Sequence, residues 1–169
     1  HAIDTITIQG QGSFSYSNGN YTMLAALASK VTGEPYEQLM EDRVFKPAGM
    51  NHTYFWDTVP DSEINNIAQE YKRSTGGTDY ATDGGPVATR SLLSTLLGAG
   101  NLYSTVGDYY KFNLALQNGQ VLTADEYKEI SDNQLAVNGY AGGLYHYPGY
   151  TKRARGSNGT DEASWLFYT

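Results

Sequence analysis

A helical repeat that begins directly behind a short polar turn most limits what this chain can fold into. Apolar residues recur at three- and four-residue spacing over about 20–31, and Gly33 follows as a C-terminal stop. In the turn before this helix, Tyr16 and Asn18 stand at positions i and i+2, so their side chains are expected to point the same way. The pattern predicts a phenol and a carboxamide that face one cleft, held from behind by a helix. The apolar stripe consists of Met23, Leu24, Leu27, Ala28 and Val31.

More helices are predicted to follow in the first part of the chain. One begins at Pro35 and ends before Gly49, because Pro47 restricts the residue before it. Two capping boxes, Thr-x-x-Asp at Thr105 and Thr-x-x-Glu at Thr123, each predict the start of another helix. The second helix is expected to carry Tyr36, Leu39, Met40 and Val44 inward, and the one behind Thr105 carries Tyr109, Phe112 and Leu116.

Towards the C-terminus the period changes from helical to alternating. A hairpin is predicted over 141–147 and 150–155, which flank Pro148-Gly149. A third strand is predicted over 163–168. We therefore predict an α+β fold, with a helical subdomain over 1–140 and the start of an antiparallel sheet over 141–169. The chain begins without Met and stops within the third strand, so we expect it to be a piece of one larger domain.

Composition excludes several classes of partner and cofactor. The net charge of −7 and the pI near 4.8 argue against a nucleic-acid partner, and the one basic cluster, 152–155, is either a solvated strand end or a functional element. No apolar run approaches the roughly 18 residues of a membrane span. There is no Cys, and His1, His52 and His146 lie far apart, so we expect no metal site and no cofactor. A Gly-x-Ser-x-Gly nucleophile elbow is also missing.

The Tyr16–Asn18 turn alone is compatible with a purely structural role. A Tyr followed by an Asn in front of a helix is commonly a packed ring and an N-cap. Additional sequence blocks change that interpretation.

Three blocks together resemble the serine β-lactamase and penicillin-binding-protein superfamily, most closely its branch of class C β-lactamases, D-alanyl-D-alanine carboxypeptidases and related esterases. The blocks are 14–21 with the helix behind it and 31–36, then 43–50, and then 98–105 continuing to Asp108 and 111–112. The resemblance extends over nearly the whole chain. It implies a β-lactamase/transpeptidase-like fold.

The resemblance also implies roles for particular residues. Catalysis in this superfamily uses a Ser-x-x-Lys motif, a Tyr-x-Asn or Ser-x-Asn motif, and a Lys-x-Gly or His-x-Gly motif on a sheet strand. Tyr16 and Asn18 match the second motif, whereas no Ser-x-x-Lys precedes Tyr16 in this chain. Arg155-Gly156-Ser157 is the candidate for the third motif and for substrate binding, and Ser157-Asn158-Gly159 is the alternative.

Two functions follow as hypotheses. In the first, the chain is part of a serine hydrolase that acts through an acyl-enzyme on D-alanyl peptides, β-lactams or related esters, and it is inactive alone because it lacks the nucleophile. In the second, it belongs to a non-catalytic relative that binds or senses cell-wall peptide. The expected partner is a small-molecule or peptidoglycan-derived substrate, and the expected location is secreted or at the bacterial cell envelope. The oligomeric state is left open.

Overall fold

The computed structural model describes residues 14–68 and 96–131, together with the backbone of the strand residues 71–73, 80–82, 140–141, 144–147, 154–157 and 165–168. In chain order the helices come first and a four-stranded antiparallel sheet comes last. This order confirms the predicted α+β fold. No helix in the described part of the chain is long and apolar enough to cross a membrane.

Helix α1 spans Asn18–Thr32 and begins two residues earlier than the sequence predicted. Ser17 before it is extended, with φ −150° and ψ 121°. At the other end Gly33 adopts a left-handed φ of 76°, and its N–H donates to the carbonyl of Ser29 over 2.9 Å. The glycine stop is therefore confirmed, since a side chain is disfavoured in this conformation. Ala25 is the buried residue of α1, whereas most of the predicted apolar stripe is exposed.

The second helical stretch is continuous but irregular. Helix α2 spans Tyr36–Met40, a π-helical turn covers Glu41–Phe45, and helix α3 spans Lys46–Ala48. Pro47 therefore lies inside the helical stretch, which ends at Ala48, before Gly49 as predicted. Pro47 has no N–H to donate, and the N–H of the residue before it, Lys46, reaches back five residues to the carbonyl of Glu41.

A compact apolar cluster joins this helical stretch to the helix that follows Thr105. Phe45 and Phe55 pack with ring centroids 5.9 Å apart, and Tyr36 meets Phe55 edge to face at 6.2 Å. The predicted inward side chains Leu39, Met40 and Val44 are buried or partly buried. The buried members of the cluster are Phe45, Ala48, Met50, Phe55 and Ala115.

Both capping boxes open helices, as predicted. Helix α5 spans Val106–Gln117, and the N–H of Asp108 donates to the hydroxyl oxygen of Thr105 over 3.1 Å. Helix α6 spans Ala124–Ser131, and the carboxylate of Glu126 accepts from both the N–H and the hydroxyl of Thr123. The short helix α4 spans Asp61–Ile64, between the second helical stretch and these two.

The strands that the structure describes form three separate antiparallel sets. Strand β1 (Tyr54–Phe55) pairs with β4 (Leu102–Tyr103), and β2 (Tyr71–Arg73) pairs with β3 (Tyr80–Thr82). The C-terminal sheet has the order β5-β6-β7-β8, so each strand lies beside its neighbour in sequence. The predicted hairpin pairing and the third strand are confirmed, while the turn at Pro148-Gly149 lies outside the described residues. The prediction of one strand over 141–147 is wrong, because β5 and β6 are separate strands that pair with each other. The four strands are Tyr140–Ala141, Leu144–Tyr147, Ala154–Ser157 and Trp165–Tyr168.

A buried carboxylate ties the segment before β1 to the start of α5. Asp108 is 1% exposed. One of its oxygens, Oδ2, accepts from the backbone N–H of His52 over 2.6 Å and from the hydroxyl of Thr53 over 3.2 Å. The other oxygen, Oδ1, accepts from Nζ of Lys111 over 2.8 Å, and the same ammonium donates to the carbonyl of Gly49 over 2.9 Å. Two segments more than 50 residues apart thus meet at one charged group.

The ionised form of Asp108 is favoured by its surroundings. Burial raises the pKa of this carboxyl, but the Lys111 ammonium, the N–H of His52 and the hydroxyl of Thr53 together hold it below its ordinary value. Its charge therefore stabilises the folded state at neutral pH.

Replacing this carboxylate with an amide is expected to destabilise the protein. Asp108→Asn keeps the side-chain shape but leaves Lys111 without its anionic partner, and we expect the free energy of unfolding to fall by about 2–4 kcal/mol. Urea denaturation at pH 7 measures this. Asp57→Asn is the matched control, since Asp57 is exposed and its loss is expected to change stability by less than about 0.5 kcal/mol.

The stabilities of the wild type and of Asp108→Asn, compared at several pH values, test the role of the charge. Because the pKa of Asp108 is lowered in the folded state, the stabilisation is complete above the ordinary Asp pKa of about 4 and is lost as the pH falls through the folded-state value. The difference in stability between wild type and Asp108→Asn is therefore expected to shrink in acid. A difference that stays constant between pH 7 and pH 3 would contradict this role for the charge.

Candidate active site

The structure places Tyr16 and Asn18 at the N-terminal entrance of α1. Asn18 is the first residue of the helix, and Ser17 occupies the capping position with an extended backbone. The N–H of Asn20 donates to the carbonyl of Ser17 over 3.2 Å, which closes the first turn. Tyr16 is 58% exposed and Asn18 is exposed as well. Both side chains thus stand at the surface of the described structure, where a substrate or another segment can reach them.

The electrostatics of this entrance favour negative charge. Unpaired N–H groups and the aligned peptide dipoles give the start of a helix a partial positive charge. The first turn of α1 contains no acidic residue that would neutralise it. The peptide dipoles therefore leave a partial positive charge near Tyr16 and Asn18.

The loop before β4 packs closely on the first half of α1. Gly98 has a left-handed φ of 82°, and a Cβ built on it would lie 2.7 Å from Cβ of Ala25 and 2.8 Å from the carbonyl oxygen of Tyr21. No side chain fits at that separation. Gly98 thus holds the third block of the sequence against the helix that carries Tyr16 and Asn18.

A methyl group at position 98 is expected to separate the loop from the helix. Gly98→Ala combines a steric overlap with a strained φ, and we expect a loss of about 2–4 kcal/mol in the free energy of unfolding. Gly100→Ala is the matched control, because a Cβ at Gly100 meets nothing within 4 Å. Equal stability of the two variants in urea denaturation would show that the loop does not lie as described.

The candidate third motif lies on strand β7. Arg155 stands opposite His146 of β6 and Phe167 of β8, and Gly156 stands opposite Tyr145 and Leu166. The candidate motif is therefore on a strand of the four-stranded sheet. The side chains of β7 lie outside the described part of the structure, so the assignment of Arg155, Gly156 and Ser157 to substrate binding stays a prediction. Asn158 and Gly159 of the alternative motif also lie outside the described residues.

The pKa values of three other phenols in the described region are raised. Burial and the carboxylate of Glu63 raise the pKa of Tyr54, and the same two causes raise the pKa of Tyr103. Burial raises the pKa of Tyr36 as well. These three phenols stay protonated at neutral pH.

Within the described residues, no group of three or more His, Cys, Asp or Glu side chains is arranged to hold a metal ion.

Sequence reasoning found Asp108 as a capping residue but missed its second role. The spacing of Asp108 and Lys111, three positions apart on a helix, could have indicated their ion pair. The contacts with His52 and Thr53 span 56 and 55 positions. Nothing in the local pattern signals contacts at that distance.

Comparison with known protein families supports the three-block resemblance. A family model described as beta-lactamase matches residues 7–166. A putative penicillin-binding protein of Bacillus subtilis, PbpX, is 33% identical over 151 residues, which are 87% of this chain and 36% of the relative. A teichoic acid D-alanine hydrolase of Staphylococcus aureus is 29% identical over 102 residues, which are 60% of this chain and 23% of the relative.

Solved structures of similar proteins share the fold of this chain. The D-amino acid amidase of Ochrobactrum anthropi SV3 in complex with D-phenylalanine superposes with a TM-score of 0.72 at 26% identity, and the match covers 89% of this chain and 45% of the amidase. The matched region is thus less than half of each of these three relatives.

Proposed function

Because the chain belongs to the β-lactamase family, we propose that the full-length protein is a serine hydrolase that forms an acyl-enzyme on D-alanyl peptides, β-lactams or related esters. This chain contributes the Tyr-x-Asn element of the active site. The nucleophilic serine and its lysine come from a segment outside it, so the chain alone is proposed to be inactive.

One observation carries the proposal more than any other. Tyr16 and Asn18 stand exposed at the positive end of α1, while Gly98 presses the third matching block onto the same helix. Exposure alone does not single out Tyr16, because Tyr110 is 57% exposed as well, but Tyr16 also stands in the Tyr-x-Asn motif at the start of a helix. The exposed turn supports a role toward a ligand.

The chemistry requires a proton carrier beside the serine. A serine hydroxyl is a weak nucleophile until a base removes its proton. In the proposed acylation the serine oxygen bonds to the substrate carbonyl carbon, and its proton passes to the oxygen of Tyr16. The amide C–N bond or ester C–O bond then breaks, and Tyr16 delivers that proton to the leaving nitrogen or oxygen. Tyr16 thereby returns to its starting state.

Deacylation reverses these roles with water. Water adds to the acyl carbon and gives a proton to Tyr16, the bond to the serine oxygen breaks, and the serine recovers the proton. In both steps Tyr16 accepts the proton as a phenolate, whose negative charge would be stabilised by the lysine of the Ser-x-x-Lys segment.

Asn18 and Arg155 are proposed to hold the substrate. The carboxamide of Asn18 both donates and accepts hydrogen bonds, so it can bind the amide of an acyl group and orient it. The guanidinium of Arg155 suits a substrate carboxylate, because its planar donors match both carboxylate oxygens.

The substrate class and location follow from the relatives as proposals. One matched relative is named for penicillin binding and another for hydrolysis of D-alanine from teichoic acid. We propose a D-alanyl or structurally similar acyl group as substrate and a cell-envelope role.

Covalent labelling with a fluorescent penicillin tests the reaction class. The full-length protein is expected to form a hydrolysable adduct on a serine that precedes His1 in the sequence, whereas residues 1–169 alone are expected to remain unlabelled. Absence of both labelling and ester hydrolysis would favour the non-catalytic sensing relative. A labelled serine within residues 1–169 would contradict the proposed division of the site.

Removing one oxygen atom tests the role of Tyr16. Tyr16→Phe in the full-length protein is expected to lower the acylation rate by about a hundred- to ten-thousand-fold, since it removes the proton carrier and leaves the ring. Tyr110→Phe is the matched control, because Tyr110 is 57% exposed on α5 and its loss is expected to leave the rate unchanged. Rates that fall equally in both variants would argue against proton transfer by Tyr16.

A further inference from the structure

We propose that the contact between His52 and Glu63 is a pH-sensitive ion pair that holds helix α4 to the segment before β1 more firmly at mildly acidic pH than at pH 8. Nδ1 of His52 lies 3.1 Å from Oε1 of Glu63. We call these two side chains the His52–Glu63 pair.

Helix α4 has little else to fix its position. It is four residues long, and none of its residues is buried, although Ile64 is half-buried. Its backbone bonds are local, since the N–H groups of Glu63 and Ile64 both donate to the carbonyl of Pro60. Among the described residues, the contact with His52 is the one side-chain hydrogen bond that joins α4 to another element. A helix this short is not stable by itself in water, so its position depends on such a contact.

The carboxylate of the pair is largely enclosed. The side chain of Glu63 is 18% exposed, whereas that of His52 is 56% exposed. The carboxamide Nδ2 of Asn66 lies 3.4 Å from the second oxygen of Glu63. No Lys or Arg in the described part of the chain pairs with Glu63. A carboxylate that is partly removed from water is costly without a cationic partner, and a protonated His52 supplies that charge.

Protonation of an imidazole strengthens such a contact in two ways. A neutral ring has one N–H, which is on Nδ1 in only one of its two tautomers, whereas the charged ring has an N–H on both nitrogens. The charged ring therefore always donates to the carboxylate, and it adds an attraction between opposite charges. Imidazole is the side chain that ordinarily gains its proton between about pH 8 and about pH 5. The His52–Glu63 pair is thus expected to strengthen as the pH falls through this range.

The charges on α5 near His52 oppose each other. The backbone N–H of His52 donates to Asp108, whose negative charge favours the protonated ring. The ammonium of Lys111 lies 2.8 Å from the same carboxylate and disfavours it. The Glu63 carboxylate therefore remains the main partner of the ring.

Four further titratable groups lie on the described elements around the pair. The two phenols, on β1 and β4, stay protonated and add no charge. One acidic side chain is exposed on α4, and the other lies 3.8 Å from the ammonium of Lys46. These groups are Tyr54, Tyr103, Asp61 and Glu41.

Hydrogen exchange in the full-length protein tests the proposal. Deuterium uptake of the peptide that contains α4 is measured by mass spectrometry at pH 5.5 and pH 8, and each rate is divided by the rate of an unstructured peptide at the same pH. We expect the amides of wild-type α4 to be about two- to fivefold more protected at pH 5.5, which is the effect that exposed ion pairs give. A peptide from α5 reports changes in the whole domain, and the α4 value is corrected for them.

Two variants remove either the titrating ring or its charged partner. His52→Gln keeps a side-chain donor that does not ionise, and Glu63→Gln keeps the shape without the charge. In both variants the corrected protection of α4 is expected to be equal at the two pH values. Asp61→Asn is the matched control, because it removes an exposed carboxylate from the same helix, and it is expected to keep the full pH effect.

Four results would overturn the proposal. They are equal protection of wild-type α4 at both pH values, stronger protection at pH 8, a pH effect that persists in Glu63→Gln, and a pH effect that Asp61→Asn also removes. A pH effect that persists in Glu63→Gln would assign it to another charge near His52, such as Asp108. The measurement uses no substrate, so its outcome is independent of the proposed hydrolase reaction.

Discussion

The Asp108 carboxylate is the interaction on which the described structure depends most. It joins the residues before β1 to the start of α5 through three donors, His52, Thr53 and Lys111. The contacts with His52 and Thr53 cross from the segment before β1 to α5, whereas Lys111 lies on the same helix as Asp108 and also donates to the carbonyl of Gly49. A charge that is 1% exposed is costly unless it is fully paired, and here the pairing lowers its pKa.

That connection also supports the turn that contains Tyr16 and Asn18. β1 pairs with β4, and the loop that leads into β4 packs on α1 at Gly98. The turn at Tyr16 and Asn18 is therefore supported by residues about 80 positions away in sequence. A rigid support of this kind is what a catalytic side chain needs, because misplacement by about 1 Å costs up to about a hundredfold in rate.

Local chemistry in the sequence predicts the elements well. Gly33 and the boxes at Thr105 and Thr123 fix helix ends through hydrogen bonds that span four residues or fewer, and all three form as predicted. Turn and strand signals likewise locate the last three strands. The π-helical turn at Glu41–Phe45 could not be predicted from the sequence, because it depends on which backbone N–H groups donate to the carbonyls near Pro47.

Burial proved harder to predict than secondary structure. The stripe of α1 has the spacing of a core-facing helix, yet Leu27 and Val31 are exposed in the structure and Ala25 is buried instead. Spacing identifies an apolar face but does not say which segment covers it. The candidate site follows the same rule, because Tyr16 and Asn18 can be found from a local motif, whereas a local motif does not identify the nucleophile that we propose they serve.

The most direct measurement of the central claim is a crystal structure of the full-length protein after reaction with a penicillin. We expect an acylated serine whose oxygen lies within about 3 Å of the phenol oxygen of Tyr16. The carboxamide of Asn18 is expected to be hydrogen-bonded to the acyl amide. An acylated serine remote from Tyr16 and Asn18, with the α1 turn still open to solvent, would contradict it.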